Sequence, residues 1–160
     1  MTTNNVTRML DSKKIPYTAF DTPADKLGAV ETAAYLRVPP EIVFKTIVVK
    51  REKPGKYVLA VIPGTAEVDL KKLAALVGEK KLVLPTEKEA EQITGLQAGG
   101  ISPLALLNKG FQVIVDSSVD HLVSLHISGG QRGLNLCLPA KEFLELTKAR
   151  SGNIHTSIEK

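Results

Sequence analysis

Three features of this sequence predict a single α+β domain built on a mixed, largely antiparallel sheet with helices packed around it. Helical and strand-like stretches interleave, at least two pairs of strands are joined by hairpin-length connections, and no internal repeat, low-complexity block or linker divides the chain. Interleaving alone would suit a doubly wound parallel sheet, but hairpin-length connectors are too short for parallel crossovers.

The elements follow from local pattern. Asn4 or Asn5 can cap a short first helix over residues 4–13, with Val6, Met9 and Leu10 on one face. IPYTAF at 15–20 is a brief strand interrupted by Pro16, and the polar, proline-bearing loop at 21–27 is the first candidate for a site wall. Residues 28–37 are alanine-rich and offer Val30, Ala33, Ala34 and Leu36 to a core, while Pro39 and Pro40 stop the helix. VFKTIVV at 43–49 and YVLAVI at 57–62 flank KREKPGK, a charged connector that predicts a solvated turn and an antiparallel hairpin. DLKKLAALVG at 69–78 has a complete helix signature: Asp69 as cap, Leu70, Leu73, Ala74 and Val77 as the buried stripe, Gly78 as stop. KKLVLP at 80–85 is a short strand, and Thr86 and Glu89 have the spacing of a capping box for the next helix. TGLQAGGISPL at 94–104 is too rich in glycine and proline to be regular. FQVIVD at 111–116, HLVSLHIS at 121–128 and LNLCLP at 134–139 are strands, the last two separated by the tight turn GGQRG. AKEFLELTKA at 140–149 closes the domain as an amphipathic helix, and the polar C-terminal tail at 151–160 is expected to fray.

Composition narrows the function classes. With 160 residues, 43% of them hydrophobic, the chain can bury one sizeable core over 1–160 without covalent staples. A single cysteine, Cys137, excludes an internal disulfide and a multi-cysteine zinc cluster; it fits a reducing compartment, and the cytoplasm is the expected location. Neither a secretory leader nor a bilayer-length apolar run is visible, so no membrane is expected as partner. Lysine and arginine total 21 against 17 acidic residues, a charge of +4 that favours a polyanionic partner. With 4% aromatics and no tryptophan, a nucleic acid would be held by its phosphates and its end, with few stacking surfaces for sequence reading.

Two stretches stand out chemically. In VFKTIVV, Lys45 shares a strand face with Val43, Ile47 and Val49, and an ammonium on an apolar face deprotonates, pairs, or points into a wet cleft. Snorkelling from a strand end and lining a cleft are both open. In GGISP at 99–103, Gly99 and Gly100 offer backbone N–H groups unobstructed by side chains, and Pro103 fixes the loop's exit. Such a turn can point donors at a carbonyl or its developing oxyanion, or can be an ordinary tight turn. Ser102 lacks an identifiable activating base and is assigned to hydrogen bonding.

Other candidates carry less. His121 and His126 lie five positions apart and cannot share a strand face, so they make a poor metal pair; with three histidines in all, no metal and no cofactor are expected. Cys137 sits on the face of Asn135, opposite Leu134, Leu136 and Leu138, and reads as a small buried hydrophobe. SGG at 128–130 is either a backbone-donor turn or a hairpin.

VFKT at 43–46, GGISP at 99–103 and ISGGQRGLNL at 127–136, in this order and at these separations, resemble the YbaK/EbsC family of Cys-tRNA(Pro) deacylases, relatives of the editing domain inserted in bacterial prolyl-tRNA synthetases. The resemblance covers nearly the whole chain. It implies a barrel-like mixed sheet surrounded by helices, no metal, and hydrolysis of the ester linking a wrong amino acid to the terminal ribose of tRNA. By position, Lys45 matches the family's essential lysine and Thr46 its neighbour at the pocket. Gly99, Gly100 and Pro103, with Ile101 and Ser102 between, match the GxxxP loop that holds the aminoacyl carbonyl, and Ser128 matches the pocket serine of the VSGG-type turn. In members acting on cysteine, the substrate thiol attacks its own carbonyl, so the protein need only position groups and stabilise charge. Two departures leave the choice of amino acid open: Asn135 stands where cysteine-specific members often carry aspartate, and Phe20 where they often carry tyrosine.

The functions in play are therefore a trans-editing deacylase of mischarged tRNA(Pro), with Cys-tRNA(Pro) the first substrate and Ala-tRNA(Pro) the alternative, and a non-catalytic module binding aminoacyl-tRNA. A small basic domain binding an anionic metabolite is the third. Prolyl-tRNA synthetase is a candidate partner for the first two.

Overall fold

The computed structural model describes residues 2–52, 55 and 57–156. Helix α1 (Asn5–Ser12) is capped by Asn4, whose side chain accepts from the Thr7 N–H. Strand β1 (Thr18–Asp21) begins two residues after Pro16, later than the proline-bearing stretch suggested. Helix α2 (Ala29–Leu36) precedes strands β2 (Phe44–Arg51) and β3 (Val58–Pro63), which form the expected antiparallel hairpin; residues 53, 54 and 56 of its connector lie outside the described set. Helix α3 (Leu70–Val77) starts at Asp69, which accepts from the N–H groups of Lys71 and Lys72, and stops at Gly78 in the left-handed region. Strand β4 (Leu82–Val83) and helix α4 (Glu87–Thr94) follow, α4 with the Thr86–Glu89 capping box in place. Strands β5 (Gln112–Asp116), β6 (Ser124–Ser128) and β7 (Leu134–Pro139), helix α5 (Ala140–Thr147) and strand β8 (Arg150–Gly152) complete the order.

The strands form two sheets, β1-β7-β6 and β4-β2-β3-β5-β8. Four pairings are antiparallel, while β3–β5 and β5–β8 are parallel, which is the mixed, largely antiparallel arrangement predicted. The main core lies on one side of β3, where Leu59 and Val61 meet Phe44, Val48, Leu136 and Phe143; Val58, Ala60 and Ile62 on its other side meet Leu73, Ile114 and Ile154. Buried on both faces, β3 is a continuous apolar run rather than an alternating one.

The barrel-like outline is corrected: the sheet does not close. β4 pairs only with Lys50 and Arg51, so the first half of β2 has one unpaired edge, and the two sheets meet there through a single bridge between Val43 and His126. Two further expectations fail. In α2 only Ala33 is buried; Val30 is 49% exposed and Ala34 lies outward, because the helix covers a cleft edge instead of a core. The tail does not fray from residue 151. Ser151 and Gly152 extend β5 in β8, Ile154 is fully buried, and its N–H donates to the Asp116 carboxylate; residues 157–160 lie outside the described set. Strand pairing, the buried Ile154 side chain and the contacts of Asp116 together dock it. Among the described residues no helix is long and apolar enough to cross a membrane.

Candidate active site

A cavity of about 550 Å³ opens along the unclosed seam. Its floor is Val43 and the N-terminal half of β2, residues 44–48, and its walls come from the 22–28 loop, the start of α2, residues 84–87, the 98–101 loop and the 128–135 hairpin. Lys45, Thr46, Gly99, Ile101, Ser128 and Asn135 all line it, so segments more than fifty residues apart in the chain converge. The 21–27 loop named from sequence supplies Thr22, Pro23, Asp25, Lys26 and Leu27.

Lys45 is half-buried, and its Nζ makes one long hydrogen bond, 3.4 Å, to the Gly64 carbonyl. Of the two lysines on the cavity, Lys26 is ion-paired with Glu87, whereas Lys45 has no carboxylate partner among the described residues. The wet-cleft reading of Lys45 is the one the fold realises. Gly64 makes this possible: a Cβ there would stand 2.7 Å from the Ala29 Cβ, so only glycine lets the turn carrying that carbonyl lie against α2. Beside Lys45, Thr46 Oγ1 is buried with no hydrogen-bond partner among the described residues.

The glycine loop behaves differently at its two glycines. Gly99 adopts φ +90°, and its N–H, like that of Ile101, makes no hydrogen bond among the described residues. Gly100 does not supply a free donor: its N–H bonds to the Gln97 carbonyl at 2.8 Å, closing a turn, and it does not line the cavity. Its lack of a side chain serves packing, since a Cβ would lie 2.8 Å from the Gln131 backbone. Arg132 Nε, donating to the Ala98 carbonyl at 2.7 Å, holds the same contact. Ser102 is fully buried and accepts from the Leu104 N–H, and Pro103 is buried at the start of a 3-10 turn; both shape the loop from behind rather than border the cavity.

The 128–130 turn is a hairpin and not a donor nest. Ser128 Oγ accepts from the Gly130 N–H, and the Gly129 N–H donates to the Leu134 carbonyl. Asn135 is 6% exposed, and its Oδ1 lies 2.9 Å from His126 Nδ1. Phe20 sits opposite Asn135 in the β1–β7 register and packs its ring against His126, 5.5 Å between centroids, without bordering the cavity itself. Cys137 is half-buried, more open than its sequence neighbours suggested.

The family model described as an aminoacyl-tRNA editing domain matches residues 24–146. The chain belongs to that family. Among its relatives is a protein of Enterococcus faecalis named "Putative Cys-tRNA(Pro)/Cys-tRNA(Cys) deacylase EbsC", 34% identical over 95% of this chain and 93% of the relative. A proline–tRNA ligase of Desulforamulus reducens is 31% identical over 69% of this chain, a match that occupies 19% of the ligase. Two crystal structures share the fold. One, of a hypothetical protein, has TM-score 0.86 and 22% identity over 96% of this chain and all of that one. The other, of a "putative trans-editing enzyme for prolyl tRNA synthetase", has TM-score 0.79 and 23% identity over 98% of this chain and all of that one.

Within this editing domain, sequence reasoning missed Gly64, His126 and the α4 residues Glu87 and Ala90. Gly64 lies at a β-strand end and His126 inside a regular strand, where neither spacing nor composition distinguishes a site residue from a turn or a core residue.

Proposed function

We propose that the chain is a trans-editing deacylase of mischarged tRNA(Pro), with Cys-tRNA(Pro) its leading substrate. The observation that carries this reading is the convergence of the Lys45 amine and the uncommitted Gly99 amide on one open cavity. In this reading the terminal ribose and its ester enter along the seam. The Gly99 and Ile101 N–H groups receive the ester carbonyl oxygen as it gains charge, a task for donors that need no reorganisation. Gly100, whose N–H is already engaged, positions the loop.

With a cysteinyl ester no protein nucleophile is required. The substrate sulfur bonds to its own carbonyl carbon, the carbon–oxygen bond to the ribose breaks, and the thiol proton ends on the departing ribose oxygen; water then opens the thiolactone. Lys45 stands beside that oxygen as cation or donor. Thr46 Oγ1, buried without a partner, gains one when the ribose is bound; such a group costs about 1–3 kcal/mol while unsatisfied. The positive charge of the chain suits the tRNA backbone, and the likeness to a part of proline–tRNA ligases supports that synthetase as the partner that supplies tRNA selectivity.

The test is a deacylation assay on Cys-tRNA(Pro), Ala-tRNA(Pro) and correctly charged Pro-tRNA(Pro), with and without prolyl-tRNA synthetase. Rapid loss of the cysteinyl ester with the prolyl ester spared is expected. Faster loss of the alanyl ester would reassign the substrate, and tight tRNA binding with no ester loss would make the chain a binding module.

A further inference from the structure

One wall of the cavity is a loosely held strap. After β1 the chain from Thr22 to Gly28 runs from the hairpin tip to α2, with the Thr22 N–H donating to the Gly133 carbonyl at 2.9 Å and the Gly28 N–H to Glu31 Oε1 at 3.1 Å. Between these anchors Ala24, Asp25, Lys26 and Leu27 make no backbone hydrogen bond among the described residues. A segment held so sparsely shifts at little cost. Lys26 packs against the glycine loop: a Cβ on Gly99 would stand 3.5 Å from both Cα and Cγ of Lys26. Its ammonium reaches on to Glu87 at the start of α4, so one side chain joins two walls of the cavity beside the amide assigned to the ester carbonyl.

A nucleic acid entering here meets a problem of sign. Asp25, Glu31 and Glu87 line the cavity against two lysines, Lys26 and Lys45. With Lys45 assigned to the ester, Lys26 is the other cation among the described residues of the lining; Arg132, also against Gly99, is held by the Ala98 carbonyl and does not border the cavity. The Lys26–Glu87 pair is suited to exchange. Both side chains are about half exposed, so the pair is weak, and Glu87 opens α4, whose positive end stabilises a carboxylate without Lys26. A phosphodiester offers the ammonium the same charge and attracts it as the ester end of the nucleic acid arrives. We propose that Lys26 is the phosphate-binding residue of the site: it leaves Glu87 for the phosphodiester on the 5′ side of the terminal nucleotide, and Glu87 holds it in place until then. This rests on the deacylase reading above and adds the residue that fixes the terminal nucleotide while Lys45 and Gly99 address the ester.

The test is a calorimetric titration with two amide-linked cysteinyl-adenosine analogues, one bare at its 5′ oxygen and one carrying a 5′-methylphosphate, which adds a phosphodiester and no second base. The quantity read is the gain in affinity from the phosphate in the wild type, Lys26→Gln, Lys26→Arg, Glu87→Gln and the double variant Lys26→Gln with Glu87→Gln. In the wild type a gain of about fivefold or more is expected, shrinking as salt is raised. Lys26→Gln should abolish most of the gain, and Lys26→Arg should keep it. Glu87→Gln should enlarge the gain about twofold to fivefold, because the competing carboxylate is gone, and that increase should vanish when Lys26 is replaced as well. A pair that only staples the strap predicts otherwise: each single variant breaks it, so both move the gain in the same direction. That outcome, or no gain in the wild type, overturns the proposal, and the deacylase reading stands if Cys-tRNA(Pro) is still hydrolysed in the assay above. A wild type that binds neither analogue and hydrolyses no ester removes that reading and this inference together.

Discussion

Asp116 and Asn135 are both buried polar residues on strands, at 0% and 6% exposure, yet the fold treats them differently. Asp116 Oδ1 accepts from the Ile154 N–H at 3.2 Å and faces His155 Nδ1 at 2.7 Å, and Oδ2 accepts from the Ser118 N–H. Burial alone would push its carboxyl up, but these hydrogen bonds, His155 first among them, outweigh burial and hold it below its usual range. Among the described residues, Asn135 spends its oxygen on His126 and leaves its nitrogen unspent, on the same cavity as a lysine with one long contact and a threonine hydroxyl with none. The Asp116 cluster borders a smaller cavity of about 260 Å³, where among the described residues the buried Ser118 hydroxyl has no hydrogen-bond partner. Hydrogen-bonding capacity consumed by the fold marks a structural pin; capacity left over beside an open cavity marks a place for a ligand.

The contrast breaks most sharply at Lys45. Lys45→Ala should lower single-turnover deacylation at least about a hundredfold, while its melting temperature stays close to that of the wild type, since no carboxylate loses a partner. Retained activity would take lysine out of the mechanism. Asp116→Ala should do the reverse. Leaving the Ile154 N–H and His155 unpaired should cost about 2–4 kcal/mol of stability in denaturant unfolding, with the ratio of cysteinyl to alanyl hydrolysis unchanged.

The same residue gives a pH prediction. A carboxyl whose folded value lies below its ordinary 3.8 contributes stability that is fully present above that value and is lost as pH falls through the folded one. Wild-type stability should therefore decline below pH 3.8 more steeply than that of Asp116→Ala, as followed by urea melts across that range. Equal slopes would mean that Asp116 carries no such linkage.

Gly100→Ala should fall between the two regions, because its Cβ would collide with backbone and not with a movable side chain. Separating the loop from the hairpin tip should cost about 1–3 kcal/mol and, by displacing Gly99, about tenfold or more in activity. The smallest effect is expected at Glu89, whose carboxyl is held below its ordinary range by the hydrogen bond from Lys50 and lies in solvent. Glu89→Gln should shift the melt barely, less still at high salt, and leave activity alone.

Much of the frame was legible because local signals agreed with the global fold. Asp69, the Leu70–Val77 stripe and Gly78 carry start, face and stop of α3 in ten residues, and Thr86 with Glu89 marks α4. Alternation placed Lys45 on an apolar face, which was the first sign of the cavity. What escaped was set by tertiary contact. No local pattern says that Ile154 docks a polar tail, that α2 borders a cleft instead of a core, or that Gly100 is small for the sake of Gln131 while the Gly99 N–H makes no hydrogen bond among the described residues. The open seam between β2 and β6 was hidden for the same reason: it is a property of strand order.

The most direct measurement is an amide and side-chain NMR titration with a non-hydrolysable cysteinyl-adenosine analogue, in which an amide link replaces the ester. Saturable shifts at Gly99, Ile101, Thr46 and the Asn135 side-chain N–H₂, with Ile154 and Ser118 still, are the predicted result. Shifts centred on Asp116 and His155, or none that saturate, would contradict it.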